Sequence, residues 1–246
     1  MNALAWFIGI SWYAQSVSSG SNDEIGYAFG AFAITGVLWA GVLGLFSVSE
    51  DVAISPRQAR TITGAPRWRK WATLVHRPGA ARGQLAFVAM AVLSLGIGAL
   101  GIALGNGSDY IVRMFIAAWI LACYLAALFV VGDYCYRGPA RQWLDTTALR
   151  RGFLLVLFAA FSLGPILVAL VLDARGLDRS TIAMVSPIMG IIEALSGNTK
   201  ERDFSLLVVS AFGLAAIAVL LLQGLRLRIA TQRIAAREDD RNPRAG

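Results

Sequence analysis

The sequence predicts an all-α fold: a polytopic membrane helix bundle of about six transmembrane helices, with a short re-entrant or interfacial helix before the last span. Three observations predict it. Hydrophobic residues make up 57% of the 246-residue chain and charged residues only 15%, where a soluble domain carries about a quarter. The charges gather in short segments and leave long uncharged runs between them. Between the last two long runs lies VSPIMGIIEALSG, Val185–Gly197, which is apolar but too short to cross a bilayer.

The spans are taken in chain order. Ala3–Ser18 is the shortest and ends in polar residues. It reads as a span, with a signal or interfacial segment as the alternative, although no basic residue precedes Arg57. Ile25–Phe46 follows, with Gly26 and Gly30 at the small-xxx-small spacing of packed membrane helices. Gln84–Leu104 contains GIGALG, Gly96–Gly101, a dinucleotide-type glycine pattern. That pattern needs a strand before it, so here it predicts close helix packing. Ile111–Asp133, Gly152–Leu172 and Phe204–Leu225 complete the set. Pro165 interrupts the fifth and is a possible hinge or a structural kink.

Arginine placement sets the orientation. Arg57, Arg60, Arg67, Arg69, Lys70, Arg77 and Arg82 lie in the loop 47–83. Arg137, Arg141, Arg150 and Arg151 follow the fourth span, and Arg226, Arg228, Arg233, Arg237, Arg241 and Arg244 fall in the tail 226–246. These segments should be cytoplasmic. The alternate segments, Ser18–Glu24, Gly105–Tyr110 and the outer loop 173–203, are acidic or neutral. The expectation is a single transmembrane domain over 1–225 in the cell membrane, with both termini cytoplasmic. Anchoring to anionic lipid accounts for the net charge of +7 without nucleic acid.

Function classes narrow by what the motifs lack. The spans hold almost no charge at their centres: Arg113 and Asp133 sit at the two ends of the fourth, and Gln223 near the end of the last. Ion-coupled transport usually needs an acid in the membrane. His76 is the lone histidine, and Cys123 and Cys135 have no metal spacing. No HExxH, GxSxG or GxxxxGK[ST] occurs, so the chain is expected to be neither an enzyme nor a nucleotide hydrolase, and no cofactor is implied.

Two segments stand out. APRWRKWATLVHRPG places Pro66 at a helix start and Pro78–Gly79 at its end. Trp68, Trp71, Leu74 and Val75 then share one face, with Arg67, Arg69, Lys70 and Arg77 elsewhere. This basic amphipathic helix suits the inner leaflet, a docking partner, or both. In the outer loop, Ser186–Pro187 should interrupt or start a helix, with about two turns over Ile188–Leu195 and Gly197–Asn198 ending it. An apolar half-helix there should dip into the membrane and return to the same side. A seventh span would carry the arginine-rich tail outside.

Six spans, a basic loop after the second and an outer half-helix before the sixth resemble the permease half of type-2 ATP-binding-cassette exporters. SPIMGIIEAL, Ser186–Leu195, is similar to the family's proline-initiated segment, which continues with a short apolar run, a glutamate, and a small residue with leucine; Pro187, Gly190 and Glu193 are the candidate residues of the re-entrant segment here. RPGAARG, Arg77–Gly83, looks like the entry to the third span in some divergent members. The resemblance implies a permease driven by a separate cytoplasmic ATPase and paired with a second half or a second copy. It implies that Pro66, Trp68, Arg69, Lys70, Trp71 and Leu74 form the ATPase-coupling segment. The alternative is a non-transporting membrane scaffold or assembly protein.

Overall fold

The computed structural model describes residues 22–49, 80–104, 109–138, 142–173, 186–196 and 206–226. Every regular element among them is an α-helix. In chain order these are α1 (Asn22–Val48), α2 (Ala80–Leu104), α3 (Asp109–Arg137), α4 (Thr147–Asp173), α5 (Pro187–Ser196) and α6 (Leu206–Arg226). All but α5 are long and apolar enough to cross a membrane. The chain is therefore an all-α, multi-pass membrane bundle with a half-length helix before its last span. The expected span at Ala3–Ser18, the Pro66–Leu74 segment and the tail beyond Arg226 lie outside the described residues.

Each helix extends beyond its apolar run. α4 begins at Thr147, not Gly152, because Thr146 caps it: the Leu149 N–H donates to the Thr146 Oγ1 at 3.3 Å and the Arg150 N–H to the Thr146 carbonyl at 3.1 Å. α3 runs past Asp133 to Arg137. Charged side chains at the end of a span leave the backbone helix intact and mark only the limit of the apolar face.

The contacts fix the helix directions. Gly36 faces Ser94, Ala33 faces Gly98 and Phe29 faces Gly101, so α1 and α2 run antiparallel. Gly30 faces Met114, Gly41 faces Leu125 and Gly44 faces Phe129, so α1 and α3 run parallel. A Cβ at Gly41 would stand 2.7 Å from Leu125 Cδ1, closer than carbon atoms can approach. These small residues let the helix backbones come together. α6 runs parallel to α3: the Trp119 indole Nε1–H donates to the Ser210 Oγ at 2.8 Å, and Gly213 packs on Cys123.

α3 is the central helix. Half of its Ile111–Tyr136 stretch is buried, against 17% of the spanning stretches of α4 and α6. It touches α1, α2, α4 and α5 as well as α6. The main core combines Ala33, Val37 and Ala40 of α1, Phe87, Ala91 and Leu95 of α2, Ala118, Ala122 and Phe129 of α3, and Leu220 of α6. Phe87 meets Phe129 edge to face at 5.0 Å between ring centroids. α4 and α6 flank this core and turn most of their leucines, valines and phenylalanines outward, as lipid-facing helices do.

Candidate functional site

The junction of α4 and α5 gathers the polar groups that an apolar bundle interior must account for. α5 begins with Ser186–Pro187. Proline suits the first helical position, where no N–H is needed, and serine suits the cap before it. The Ser186 carbonyl accepts the Gly190 N–H at 2.9 Å, and its Oγ receives the Met189 N–H at a long 3.5 Å. Pro187, Gly190 and Ala194 are buried and Ile191 is half-buried, while Ile188 and Ile192 are exposed. This i, i+3, i+4, i+7 stripe gives α5 one packed face. It rests mainly on α3, where Ala194 joins Ala117 and Ile120 in a second cluster bordered by Tyr124, Leu195, Leu206 and Val209.

α5 is steeply embedded. Its C-terminal residues border the start of α6, at one end of the bundle. Its N-terminal Ser186 reaches α4, donating its hydroxyl to the Ser162 carbonyl at 2.7 Å. Ser162 lies near the middle of the Thr147–Val171 stretch. The half-helix therefore runs from mid-height toward the end at which α6 begins, antiparallel to α3. Both serines are buried, Ser186 at 0% and Ser162 at 2% exposure.

Pro165 sits three residues further along α4, half-buried. It has no N–H to return to the Phe161 carbonyl, so the helical ladder is broken just beside Ser162. The Ser162 hydroxyl is buried and has no hydrogen-bond partner among the described residues. A buried hydroxyl in that state costs on the order of 1–3 kcal/mol. Of the expected re-entrant residues, Pro187 and Gly190 thus lie on the packed face of α5. Glu193 belongs to the same helix, and its side chain lies outside the described residues.

A second polar arrangement closes the opposite end of the bundle. Arg150 of α4 uses its whole fork: Nε donates to the Leu144 carbonyl at 2.9 Å, Nη1 to the Ser49 carbonyl at 3.5 Å and Nη2 to the Asp145 carbonyl at 3.4 Å. Arg151 Nε donates to the Ser49 Oγ at 3.1 Å, and its guanidinium lies 4.7 Å from the Phe46 ring centroid. The C-terminal end of α1 carries the negative pole of its dipole, so two cations there are favourable. The Tyr136 hydroxyl donates to the Arg150 carbonyl at 2.7 Å and ties α3 into the same knot. Arg226 ends α6 on this side too. The arginines of the described helix ends therefore share one end of the bundle, apart from Arg113 near the start of α3.

Several of these features escape sequence reading. Gln84 marks the start of an apolar run, yet it is fully buried and both of its amide atoms lack a partner among the described residues. The Oε1 of Gln223 is buried and unpartnered as well. Within GIGALG, Gly98 and Gly101 pack tightly on Ala33, Phe115 and Phe29, but Gly96 faces open space. Cys123 is a buried free thiol and Cys135 a half-buried one. In comparisons with protein families, curated proteins and solved structures, nothing matches the chain.

Proposed function

We propose that this chain is the permease subunit of an ATP-driven exporter, working with a separate cytoplasmic ATPase and a second permease half or a second copy of itself. The observation that supports this reading most is α5, an apolar half-helix that begins at mid-height against a proline-interrupted span. Half-helices at that depth suit a membrane path, because their ends offer polar groups where the surrounding helices offer none. The arginine end of the bundle is the cytoplasmic side in this reading, with both termini there and the chain in the cell membrane. The cargo is hydrophobic or amphipathic, in keeping with the apolar spans.

The basic segment at Pro66–Leu74 lies beyond Ser49, which Arg150 and Arg151 clasp, with sixteen residues between them. The proposal makes it the ATPase contact. Affinity purification of the full chain from its native membrane should bring down a nucleotide-hydrolysing subunit in stoichiometric amount. Replacing Trp68 and Trp71 with alanine should release it. Retention of that subunit by the double variant would remove the coupling role, and absence of any ATPase would remove the exporter reading.

A further inference from the structure

We propose that Gln84 of α2, Asp133 of α3 and Gln223 of α6 form a binding site for a monovalent metal cation of sodium's class, at the arginine end of the bundle. The site does not depend on the exporter reading and needs no ATPase.

Helix register brings the three side chains to one level. Phe87 of α2 meets Phe129 of α3 at 5.0 Å. Gln84 lies three residues before Phe87, and Asp133 four residues after Phe129. The two helices run in opposite directions, since α1 is antiparallel to α2 and parallel to α3, so both steps lead the same way. Gln84 also extends the buried stripe of Phe87, Val88, Ala91 and Leu95 that faces the core. On α3, Asp133 extends the stripe of Trp119 and Cys123, which meet Ser210 and Gly213 of α6. Asp133 is ten residues beyond Cys123, and Gln223 is ten beyond Gly213 on the parallel α6. Gly224, next to Gln223, packs on Leu85, next to Gln84. The three polar residues therefore meet at the seam of α2, α3 and α6 within about one helical turn of each other.

Burial and chemistry select the occupant. Gln84 is 0% exposed and Asp133 2%. Both amide atoms of Gln84 and the Oε1 of Gln223 are buried with no partner among the described residues. The two amides stand at the same level without satisfying each other, so an amide pair does not account for them. Carbonyl oxygens shut in an apolar seam cost free energy until something donates to them or is coordinated by them. Two amide oxygens and a carboxylate are hard ligands, suited to a hard cation. No group of three His, Cys, Asp or Glu residues that could hold a metal occurs among the described residues, so a transition-metal set is not on offer. One carboxylate supplies at most one negative charge, which balances a monovalent ion and not a divalent one. Asp133 interacts with another group as well, and its two oxygens have about four lone-pair sites to share. A water held by the ion gives the Gln84 Nε2–H an acceptor.

The test uses the full chain in nanodiscs of zwitterionic phosphatidylcholine, in choline chloride buffer at neutral pH. Radiolabelled sodium should bind saturably and be displaced by unlabelled sodium but not by choline, which is too large for a site between packed helices. Gln84→Leu and Gln223→Leu should each weaken binding on the order of tenfold or more, since even an outer partner of a bound metal is worth that much. Asp133→Asn should abolish it. Asp145→Asn, which removes an exposed carboxylate at the same end, should bind sodium as the native chain does. A second measurement needs no variant: replacing choline with sodium at equal ionic strength should raise the unfolding temperature of the native chain, as a ligand of the folded state does. The same unfolding temperature in the two salts would overturn the proposal, as would native sodium affinity in both leucine variants. Displacement by choline as effective as by sodium would reveal a diffuse counterion layer only. Calcium displacing the label better than sodium does would make the site divalent and overturn the assignment.

Discussion

The hydroxyl of Ser186 donates to the backbone carbonyl of Ser162 across 2.7 Å, joining the start of α5 to the middle of α4. Two buried serines meet there, but they stand in opposite states. Ser186 both caps its helix and bridges to α4. Ser162 offers its carbonyl and leaves its hydroxyl unused.

That contrast predicts opposite effects of the same substitution. Ser186→Ala removes a cap and an interhelix bond and should destabilise the bundle by about 1–2 kcal/mol. Ser162→Ala removes a buried hydroxyl with no partner among the described residues and should be neutral or stabilising. Reversible denaturation in mixed micelles, followed by tryptophan emission, compares the two. Equal losses would show that the Ser162 hydroxyl has a partner after all.

The glycines separate in the same way. A Cβ at Gly101 would collide with Phe29, and a Cβ at Gly96 would meet nothing within 4 Å. Gly101→Ala should cost about 1–3 kcal/mol through overpacking. Gly96→Ala should cost nothing, because alanine is the better helix former by roughly 0.5–1 kcal/mol. Thermal unfolding of both variants ranks them, and a Gly96 variant as damaged as the Gly101 variant would contradict the α1–α2 packing.

Arg150 should tolerate no substitute. Its planar fork serves three carbonyls on two segments, and a lysine can reach one at a time. Arg150→Lys should therefore speed amide exchange around residues 142–150 and near Ser49, with a loss of about 1–3 kcal/mol. Exchange that quickens in only one of the two segments would mean that the fork does not link them.

Gln84 makes a prediction of the opposite sign. Both amide atoms are buried without partners among the described residues, so in sodium-free buffer Gln84→Leu should stabilise the chain by about 1–3 kcal/mol. A destabilised Gln84→Leu, measured in the same denaturation assay, would assign that amide a protein partner or a bound water.

Sequence reading recovered what hydropathy and local chemistry encode. Five long apolar runs became five long helices, and Ser186–Pro187, which could interrupt or start a helix, starts α5. Boundaries were read too short at α3 and α4, since Asp133, Arg150 and Arg151 end an apolar face without ending a helix. Azimuth was the larger gap. GIGALG shows that small residues lie close together but not which of them meets a neighbour, and Gly96 meets none. The same blindness hid Ser162: a serine in an apolar span reads alike whether its hydroxyl bonds to the preceding turn, faces another helix or waits unpaired. The Arg150 fork joins Ser49 to residues about a hundred positions later, and no periodicity carries a contact of that range.

The depth of α5 is the measurement on which the account turns. In a background with Cys123 and Cys135 replaced by alanine, nitroxide labels at Ile188 and Ile192, both on the exposed face, report depth through their relative accessibility to oxygen and to a polar nickel reagent. Ile188 should lie near the bilayer centre and Ile192 about 6 Å nearer the surface, one turn along a steep helix. Equal, shallow readings at both positions would mean that α5 lies flat at the interface, and the mid-height junction with Ser162 would not exist in the membrane.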